Sequence, residues 1–470
     1  MEAFSLGLEH ILTVSALLAI LVGTIMGVAV GVLPGLGSVI GITMVLPFTF
    51  SMDQIPALAL MLGIYCGSVY GGSISAIMIN TPGTPQAAAT ALDGFPMAQR
   101  GDADLAIGWA TAASVFGGLF SVLVLIIAAP QLAAFSLNFT AIEYFALGIF
   151  ALICIANVSR GAMAKGLLAG AIGLFLATIG VDHVTGDMRF TFGSFEMTAG
   201  ISLIPAIVGL FALSEVFIRT SESTVVKELV THKVGFRLPP WSEWRPRLWL
   251  LLKSCTIGSF VGTLPGTGAA TAAFIAYGEA KRSAPHKEKL GTGEPDGLVA
   301  AESANNAVTG SAMVPTLALG IPGDPVTAVM LGTFIVHGLT PGPRLFTENL
   351  DLVYAVFLIL VVVNILMFFV GALGAQIFTR ALLVPEPLLM TMVTVIAIVG
   401  AYGVRGNPLD LATAFLAGVG GFILMGANIP GSEDQLRGIT AALTVDPAVP
   451  PLLGIDQEGG DVSRLPWDDF

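Results

Sequence analysis

Long unbroken runs of apolar residues are the feature of this sequence that most constrains its fold. The run LFSVLVLIIAA at 119–129 is one example, and similar runs recur along the whole 470-residue chain. Only 11% of the residues are charged, whereas a water-soluble domain carries about 25%. Since a spanning helix takes about 20 apolar residues, the sequence predicts an all-α polytopic membrane protein with about 10–12 transmembrane helices.

Polar stretches divide the chain into four predicted parts. Residues 1–218 form a first membrane region, 219–247 a polar linker, 248–427 a second membrane region, and 428–470 an acidic C-terminal tail. Basic residues favour the cytoplasmic side of a membrane, and seven of the 20 lie within 219–253. We therefore expect a cytoplasmic linker. The tail has no stretch apolar enough to span, so we expect it on the cytoplasmic side, outside the bilayer.

Two short motifs recur in the same order in both membrane regions. GVAVGVLPGLG at 27–37 and GSFVGTLPGTG at 258–268 are identical at seven of eleven positions, and NTPGTP at 80–85 parallels GIPGDP at 320–325. Repeated apolar segments interrupted by Gly and Pro mark the binding sites of duplicated transporters. Basic residues flank 248–279 on both sides, which predicts a re-entrant hairpin. Counting spans places the first hairpin on the opposite face, so we expect two inverted repeats with broken helices.

The Leu-Pro-Gly motifs are predicted to bind an anionic substrate. Proline lacks a backbone N–H and glycine tolerates non-helical dihedral angles, so both motifs should break their helices at membrane depth. The amides freed at the start of each following helix favour an anion, especially a carboxylate. A simple kink that relieves packing strain is the alternative. The predicted substrate-binding residues are Pro34, Gly35, Gly37, Ser38, Pro265, Gly266, Thr267 and Gly268.

Polar side chains within apolar segments form a second predicted site, for an ion or a water-accessible cavity. One face of an apolar helix carries four of them at helical spacing, and intramembrane ionisable residues are costly and usually functional. Others lie beside the second motif pair and offer the oxygen ligands that hard cations prefer. Hydrogen bonding between helices is the alternative role. The predicted residues are Asn80, Thr81, Thr84, Glu302, Asn305, Asn306, Thr309 and Asp324.

Several functional classes find no support in the sequence. The net charge of −12 disfavours a nucleic-acid partner. The chain contains no HExxH, GxSxG or Walker motif, so we expect neither an enzyme nor a nucleotide-driven pump. The three cysteines fit no metal or disulfide spacing, and we expect no metal site and no cofactor beyond a coupling ion, Na⁺ or H⁺.

Small residues recur at intervals of four in three apolar segments. Gly23, Gly27 and Gly31 form one such series, and Gly258 and Gly262 belong to another. This spacing lets helix backbones approach closely. We expect tight packing within one subunit, with a homodimer face or a sliding surface as the alternatives.

The motifs together resemble the large membrane subunit of the tripartite tricarboxylate transporters (TctA-type). The resemblance rests on GVLPGLG, NTPGTPQAAATALDGFPMAQRG at 80–101, GTLPGTGAA and IPGDPVTAVMLG, and covers roughly 1–427. It implies a secondary transporter of the bacterial inner membrane that imports citrate or a related carboxylate with sodium or protons. It also implies two partners, a small integral membrane subunit and a periplasmic solute-binding protein.

The C-terminal tail departs from this resemblance. Family members usually close with a further apolar helix, whereas the tail here contains Asp446 and several prolines. We therefore expect the second repeat to be incomplete. A passive anion channel and a membrane scaffold subunit are the alternative functions.

Overall fold

Most of the described residues lie in helices. The computed structural model describes residues 2–158, 163–182, 185–221, 235–382, 384–403, 405–420, 423–424 and 454–455. Residues 222–234 of the predicted linker, and all of the predicted tail except 454–455, therefore lie outside the described residues. The helices before the linker are α1 Glu2–Ile11, α2 Val14–Val32, α3 Gly37–Thr49, α4 Gln54–Ile79, α5 Ala88–Gln99, α6 Ala103–Ser136, α7 Ala141–Val158, α8 Met163–Ala177, α9 Leu203–Ile207 and α10 Ser214–Ser221.

The remaining helices begin with α11, which lies within the predicted linker. They are α11 Trp241–Trp244, α12 Leu248–Thr263, α13 Gly268–Ser283, α14 Pro295–Leu319, α15 Pro325–Val336, α16 Leu345–Glu348, α17 Leu350–Ala381, α18 Glu386–Gly403 and α19 Pro408–Gly420. Two-residue strands pair as β1 Gly180–Val181 with β2 Met188–Arg189, and β3 Ile423–Leu424 with β4 Gly454–Ile455.

The predicted fold class, an all-α polytopic membrane protein, is confirmed. Five segments within the described residues are long and apolar enough to cross a membrane. They are Val14–Val32, Gln54–Ile79, Ala103–Ser136, Leu203–Thr220 and Leu350–Gly374. The predicted total of spans and the inverted relation between the halves stay predictions.

The chain packs into two compact units. Unit 1 comprises Met1–Leu147 and Val226–Val384, and unit 2 comprises Gly148–Val225 and Pro385–Phe470. Each unit therefore contains residues from both predicted membrane regions. All the predicted site residues belong to unit 1.

Two fully buried helices form the centre of unit 1. Every residue of α4 from Ile55 to Met78 is buried, and so is every residue of α14 from Asp296 to Ala318. A helix that is apolar around its whole circumference belongs in a core. The polar residues of α14 are consequently enclosed by protein.

Glycines bring neighbouring helices into backbone contact with these two central helices. A Cβ atom added to Gly31 of α2 would lie 2.2 Å from the carbonyl oxygen of Ser68 on α4. A Cβ added to Gly258 of α12 would lie 2.3 Å from the carbonyl oxygen of Ala304 on α14. The tight packing that the glycine spacing predicts within one chain is therefore confirmed at these contacts.

The helices α12 and α13 form a hairpin whose open end is closed by a salt bridge. Lys253 pairs with Glu279, and its Nζ donates to Ser283 Oγ at 3.1 Å. Each helix has 16 residues, about 24 Å at 1.5 Å per residue, which is shorter than the ~30 Å hydrocarbon core. Both properties suit the predicted re-entrant hairpin, and the side of the membrane on which it opens stays a prediction.

Unit 2 packs α18 and α19 against a helix that contains a π segment. Val208–Leu213 is π-helical and lies between α9 and α10. Its Gly209 approaches α19 so closely that a Cβ would lie 2.2 Å from the carbonyl oxygen of Ala414. In the loop before α19, hydrogen bonds with the buried Asp410 raise the pKa of the Arg405 guanidinium.

Candidate substrate and ion site

The two Leu-Pro-Gly motifs break their helices with the same backbone conformation. Gly35 and Gly266 have φ angles of 84° and 80°, and Gly37 and Gly268 have φ angles of 60° and 71°. Side chains rarely adopt such left-handed angles, so glycine is required at all four positions. In each half one helix ends before the motif and the next helix begins at its last glycine.

The helices that follow these breaks begin without a side-chain cap. The N-cap residue of α3 is Leu36 and that of α13 is Thr267, and neither side chain bonds to an amide of its first turn. The Thr267 hydroxyl instead donates to the carbonyl oxygens of Val261 at 2.6 Å and Leu264 at 2.9 Å. Uncapped amides at a helix N-terminus attract anions. Next to them, Ser38 is buried and its Oγ has no hydrogen-bond partner among the described residues.

Asp324 is the N-cap residue of α15, the position that Leu36 holds in α3 and Thr267 holds in α13. Its Oδ1 accepts from the backbone amide of Thr327 at 2.7 Å, and its Oδ2 accepts from the hydroxyl of Tyr65 at 2.6 Å. The Asp324 amide in turn donates to Thr327 Oγ1 at 2.9 Å, completing a capping box. An anion of the protein itself therefore already occupies this helix start. The structure shows a structural role for Asp324, and its predicted role as an ion ligand stays a prediction.

The predicted ion-site residues of the NTPGTP motif, which are Asn80, Thr81 and Thr84, lie in different environments. Asn80 is exposed and ends α4 in a left-handed conformation with a φ of 52°. The Thr81 hydroxyl donates to the carbonyl oxygen of Ile79 at 3.2 Å. Thr84 is buried, and its Oγ1 has no partner among the described residues. Of the three, Thr84 is the one whose hydroxyl is both enclosed and unbonded.

The hairpins contact the second Pro-Gly loops. Within the second half, the Gly266 amide donates to the carbonyl oxygen of Gly323 at 2.9 Å. Across the halves, α3 packs against α15, and α13 packs against α5 and the preceding turn Pro85–Ala87. The second helix of each hairpin thus packs against the helix that follows the Pro-Gly loop of the other half.

Glu302 lies in the interior of the buried helix α14, about two turns from its start, and is surrounded by neutral donors. One carboxylate oxygen accepts from the hydroxyl of Thr90 on α5. The other accepts from the Ser114 hydroxyl of α6 at 2.8 Å and from Asn306 Nδ2 at 3.4 Å. Its side chain is fully enclosed. The carboxylate thus joins three helices of unit 1.

The remaining residues of the predicted polar face are also fully buried. Neither amide atom of Asn305 has a hydrogen-bond partner among the described residues, and the same holds for Asn306 Oδ1. The Thr309 hydroxyl donates to the carbonyl oxygen of Asn306 at 2.7 Å. The predicted face exists on α14, and its access to water stays a prediction.

Sequence reasoning missed Thr90, Ser114 and Tyr65. Thr90 and Ser114 precede Glu302 by 212 and 188 positions, and Tyr65 precedes Asp324 by 259. One signal for Tyr65 was present, because it occupies the position 240 residues before Asn305, the offset of the second motif pair. Thr90 and Ser114 are isolated hydroxyl side chains in apolar helices, and no feature of the sequence marks them as partners of Glu302.

A second polar cluster lies at the base of the α12–α13 hairpin. Arg247 is buried and pairs with Glu294 at 2.7 Å and Asp296 at 2.5 Å, and its guanidinium lies 5.1 Å from the Trp109 ring centre. His286 Nδ1 lies 3.4 Å from Glu294. The His and the two acids are close enough to share a metal ion. Because Arg247 forms ion pairs with both acids and offsets part of their charge, we assign this cluster a structural role.

Comparison with known proteins gives a consistent result. A sequence model of the family described as "Tripartite tricarboxylate transporter TctA family" matches residues 17–433. The "Uncharacterized 52.8 kDa protein in TAR-I ttuC' 3'region" of Agrobacterium vitis is 37% identical over 421 residues, 90% of this chain and 84% of that protein. The "Uncharacterized protein in TAR-II ttuC' 3'region" of the same organism is 32% identical over 168 residues, 36% of this chain and 69% of that protein. No solved structure matches.

The family match covers both Leu-Pro-Gly motifs, both second Pro-Gly loops and the buried polar face of α14. It ends at residue 433, at the start of the acidic tail. The spanning segments and the match together show a multi-pass membrane protein of a transporter family. The chain therefore belongs to the tripartite tricarboxylate transporter TctA family.

Proposed function

We propose that this chain is the large membrane subunit of a secondary transporter that imports a di- or tricarboxylate, citrate-like in its chemistry, across the bacterial inner membrane. The observation that carries the proposal is the pair of uncapped helix starts at Gly37 and Gly268. Two positive helix ends beside broken backbone suit a ligand with more than one carboxylate. Membership of the family supports the same substrate class.

Uptake of such an anion requires coupling to a cation gradient. Moving one charge across the membrane involves about 2.3 kcal/mol per 100 mV, so importing a dianion against an inside-negative potential costs about 4.6 kcal/mol per 100 mV. At least two cations must accompany each dianion for the potential to stop opposing uptake. We propose Na⁺ or H⁺ as the coupling ion, with the buried polar residues of α14 as its binding region. The enclosed Glu302 supports this assignment.

The proposal includes two partners, a small integral membrane subunit and a periplasmic solute-binding protein that delivers the substrate. The tripartite character of the family supports both. A homodimer face is the alternative interpretation of the glycine spacing. A passive anion channel or a scaffold subunit is the alternative, and neither would require an enclosed carboxylate beside unbonded amide oxygens.

The proposed substrate site is tested by filling the two left-handed glycines. We expect Gly35→Val and Gly266→Val each to abolish uptake of labelled citrate in cells that also express both partner subunits, because Val cannot adopt φ angles of 84° or 80° without distorting the loop. Gly278→Val is the matched control, since a Cβ there meets no atom within 4 Å. Uptake is normalised to the amount of protein in the membrane. Near-normal uptake by both loop variants would refute the site.

A further inference from the structure

Two of the five buried acidic side chains among the described residues have a positive partner. Among the described residues, Asp296 pairs with Arg247 at 2.5 Å, and Asp410 pairs with Arg405 through two hydrogen bonds. A buried charge without compensation is strongly destabilising. These two acids are therefore neutralised within their own surroundings.

Two further buried acids are compensated by backbone amides at helix starts. Asp93 Oδ1 accepts from the amides of Gly291, Gly293 and Glu294 at 2.8 to 2.9 Å, directly before α14 begins. Asp324 accepts from the Thr327 amide in the first turn of α15. A helix N-terminus carries about half a positive charge. Both carboxylates are thus placed where the backbone stabilises an anion.

Glu302 is the exception among the buried acids of the described residues. It lies in the interior of α14, away from either end, and its donors are the hydroxyls of Thr90 and Ser114 and the amide of Asn306. None of these groups carries a charge. A fully buried carboxylate in such surroundings requires a cation or a proton.

The surroundings of Glu302 also contain more oxygen atoms than its hydrogen bonds use. Asn306 donates to the carboxylate through its Nδ2. Its Oδ1 belongs to the same side-chain amide and accepts no hydrogen bond from the described residues. This free oxygen therefore lies close to the carboxylate. Ser73 of α4 faces the same carboxylate, and its Oγ forms no hydrogen bond of good geometry among the described residues. A proton alone would leave these oxygens unused. A hard cation uses several oxygens at once.

We propose that Glu302, Ser73, Thr90, Ser114 and Asn306 form a binding site for one sodium ion. The carboxylate supplies the negative charge and the other residues supply neutral oxygens. When the ion binds, the serine and threonine hydroxyls turn their protons to carbonyl oxygens of their own helices, as such side chains commonly do. The site joins α4, α5, α6 and α14, so ion occupancy fixes these four helices relative to one another. Its use in coupling rests on the proposed transport function, whereas ion binding itself does not.

The test is the sodium dependence of the melting temperature of the purified full-length chain, at pH 8 and constant ionic strength with choline as the replacement cation. We expect a saturable rise with sodium in the wild-type protein, because a ligand that binds the folded state stabilises it. Glu302→Gln should lose the rise. Ser114→Ala should require about tenfold more sodium, since it removes one interaction with a charge.

Ser136→Ala is the matched control. Ser136 is a buried serine on the same helix, and its hydroxyl donates to the carbonyl oxygen of Ala133. This variant should keep the wild-type sodium midpoint. If Glu302→Gln does not fold, the contrast between Ser114→Ala and Ser136→Ala decides the question.

Three results would overturn the proposal: a wild-type melting temperature that does not respond to sodium, a full sodium response in Glu302→Gln, or equal midpoints for the two serine variants. An absent sodium response, together with a response to pH in a second titration, would identify a proton site. No substrate is present in this assay. A failure to transport carboxylates would therefore leave its outcome unchanged, and the two proposals are separable.

Discussion

At the scale of single residues, the position of a carboxylate on its helix decides its role. Asp324 caps the start of α15 and has its charge stabilised by a backbone amide and the Tyr65 hydroxyl. Glu302 has neutral donors and no helix end nearby. In the sequence Glu302 stands out as an acid within an apolar segment and Asp324 as an acid beside the second motif pair. Which groups surround each carboxylate is visible only in the fold.

Tyr65→Phe tests the bond that links α4 to the capping box of α15. Removing a hydrogen bond to a charged group inside a membrane protein should lower the free energy of unfolding by about 1–2 kcal/mol. The measurement is thermal or denaturant unfolding in detergent. Tyr402→Phe serves as the control because Tyr402 is 48% exposed, and it should leave stability unchanged. Equal stability of the two variants would contradict the role of Tyr65.

The sequence predicted the polar face of α14 because helical spacing is a local property. Positions 302, 305, 306 and 309 fall on one side of any helix formed by that segment. Thr90 and Ser114 escaped prediction because each is a single hydroxyl in an apolar helix. Their role depends on which helices pack together, and helix packing is not encoded in short-range spacing. The capping of α15 shows the same limit. Asp324 lies directly before the helix, so its role as a cap is a local feature of the sequence. Its hydrogen bond with Tyr65 joins distant positions and is not local.

At the scale of elements, glycine contacts set the distance between the hairpin helices and the central helices. Gly23 and Gly31 of α2 lie against the backbone of α4, and Gly258 of α12 lies against the backbone of α14. Close backbone approach is the usual means of helix association in membranes, where apolar burial gives no preference for protein over lipid. The position of each hairpin tip depends on these contacts.

Gly31→Ala tests this dependence. The added methyl group would lie 2.2 Å from the Ser68 carbonyl oxygen and 2.7 Å from the Ser68 Cα, so the two backbones must separate. We expect a loss of about 1–3 kcal/mol in the free energy of unfolding, typical of overpacking. Gly278→Ala on α13 has no atom within 4 Å of the new methyl group and should be neutral or stabilising. A Gly31→Ala variant as stable as Gly278→Ala would show that the helices do not depend on this contact.

At the scale of the whole molecule, the predicted inversion of the two halves determines where each hairpin opens. From the basic residues we expect the α12–α13 hairpin to open on the cytoplasmic side, and from the span count we expect the α2–α3 hairpin to open on the opposite side. Opposed hairpins would let a central substrate be reached from either side in turn, as in alternating access.

Cysteine labelling tests the inversion. Ser51 follows α3 and Lys289 follows α13, and both are exposed. We expect Ser51→Cys to react with a membrane-impermeant thiol reagent from the periplasmic side and Lys289→Cys to react from the cytoplasmic side. Both substitutions are made in a Cys154→Ala chain, which is also the background control, since the other two cysteines, Cys66 and Cys255, are buried. Reaction of both variants from one side would mean that the halves are not inverted.

The proposed function of the whole molecule is transport of a carboxylate driven by a cation gradient. It is tested by uptake of labelled citrate into proteoliposomes that contain this chain and its small membrane subunit, with the periplasmic binding protein outside. We expect accumulation above the external concentration under an inward sodium or proton gradient, and loss of that accumulation when an ionophore dissipates the gradient. Equilibration without accumulation, unaffected by the ionophore, would contradict the claim and identify a passive channel.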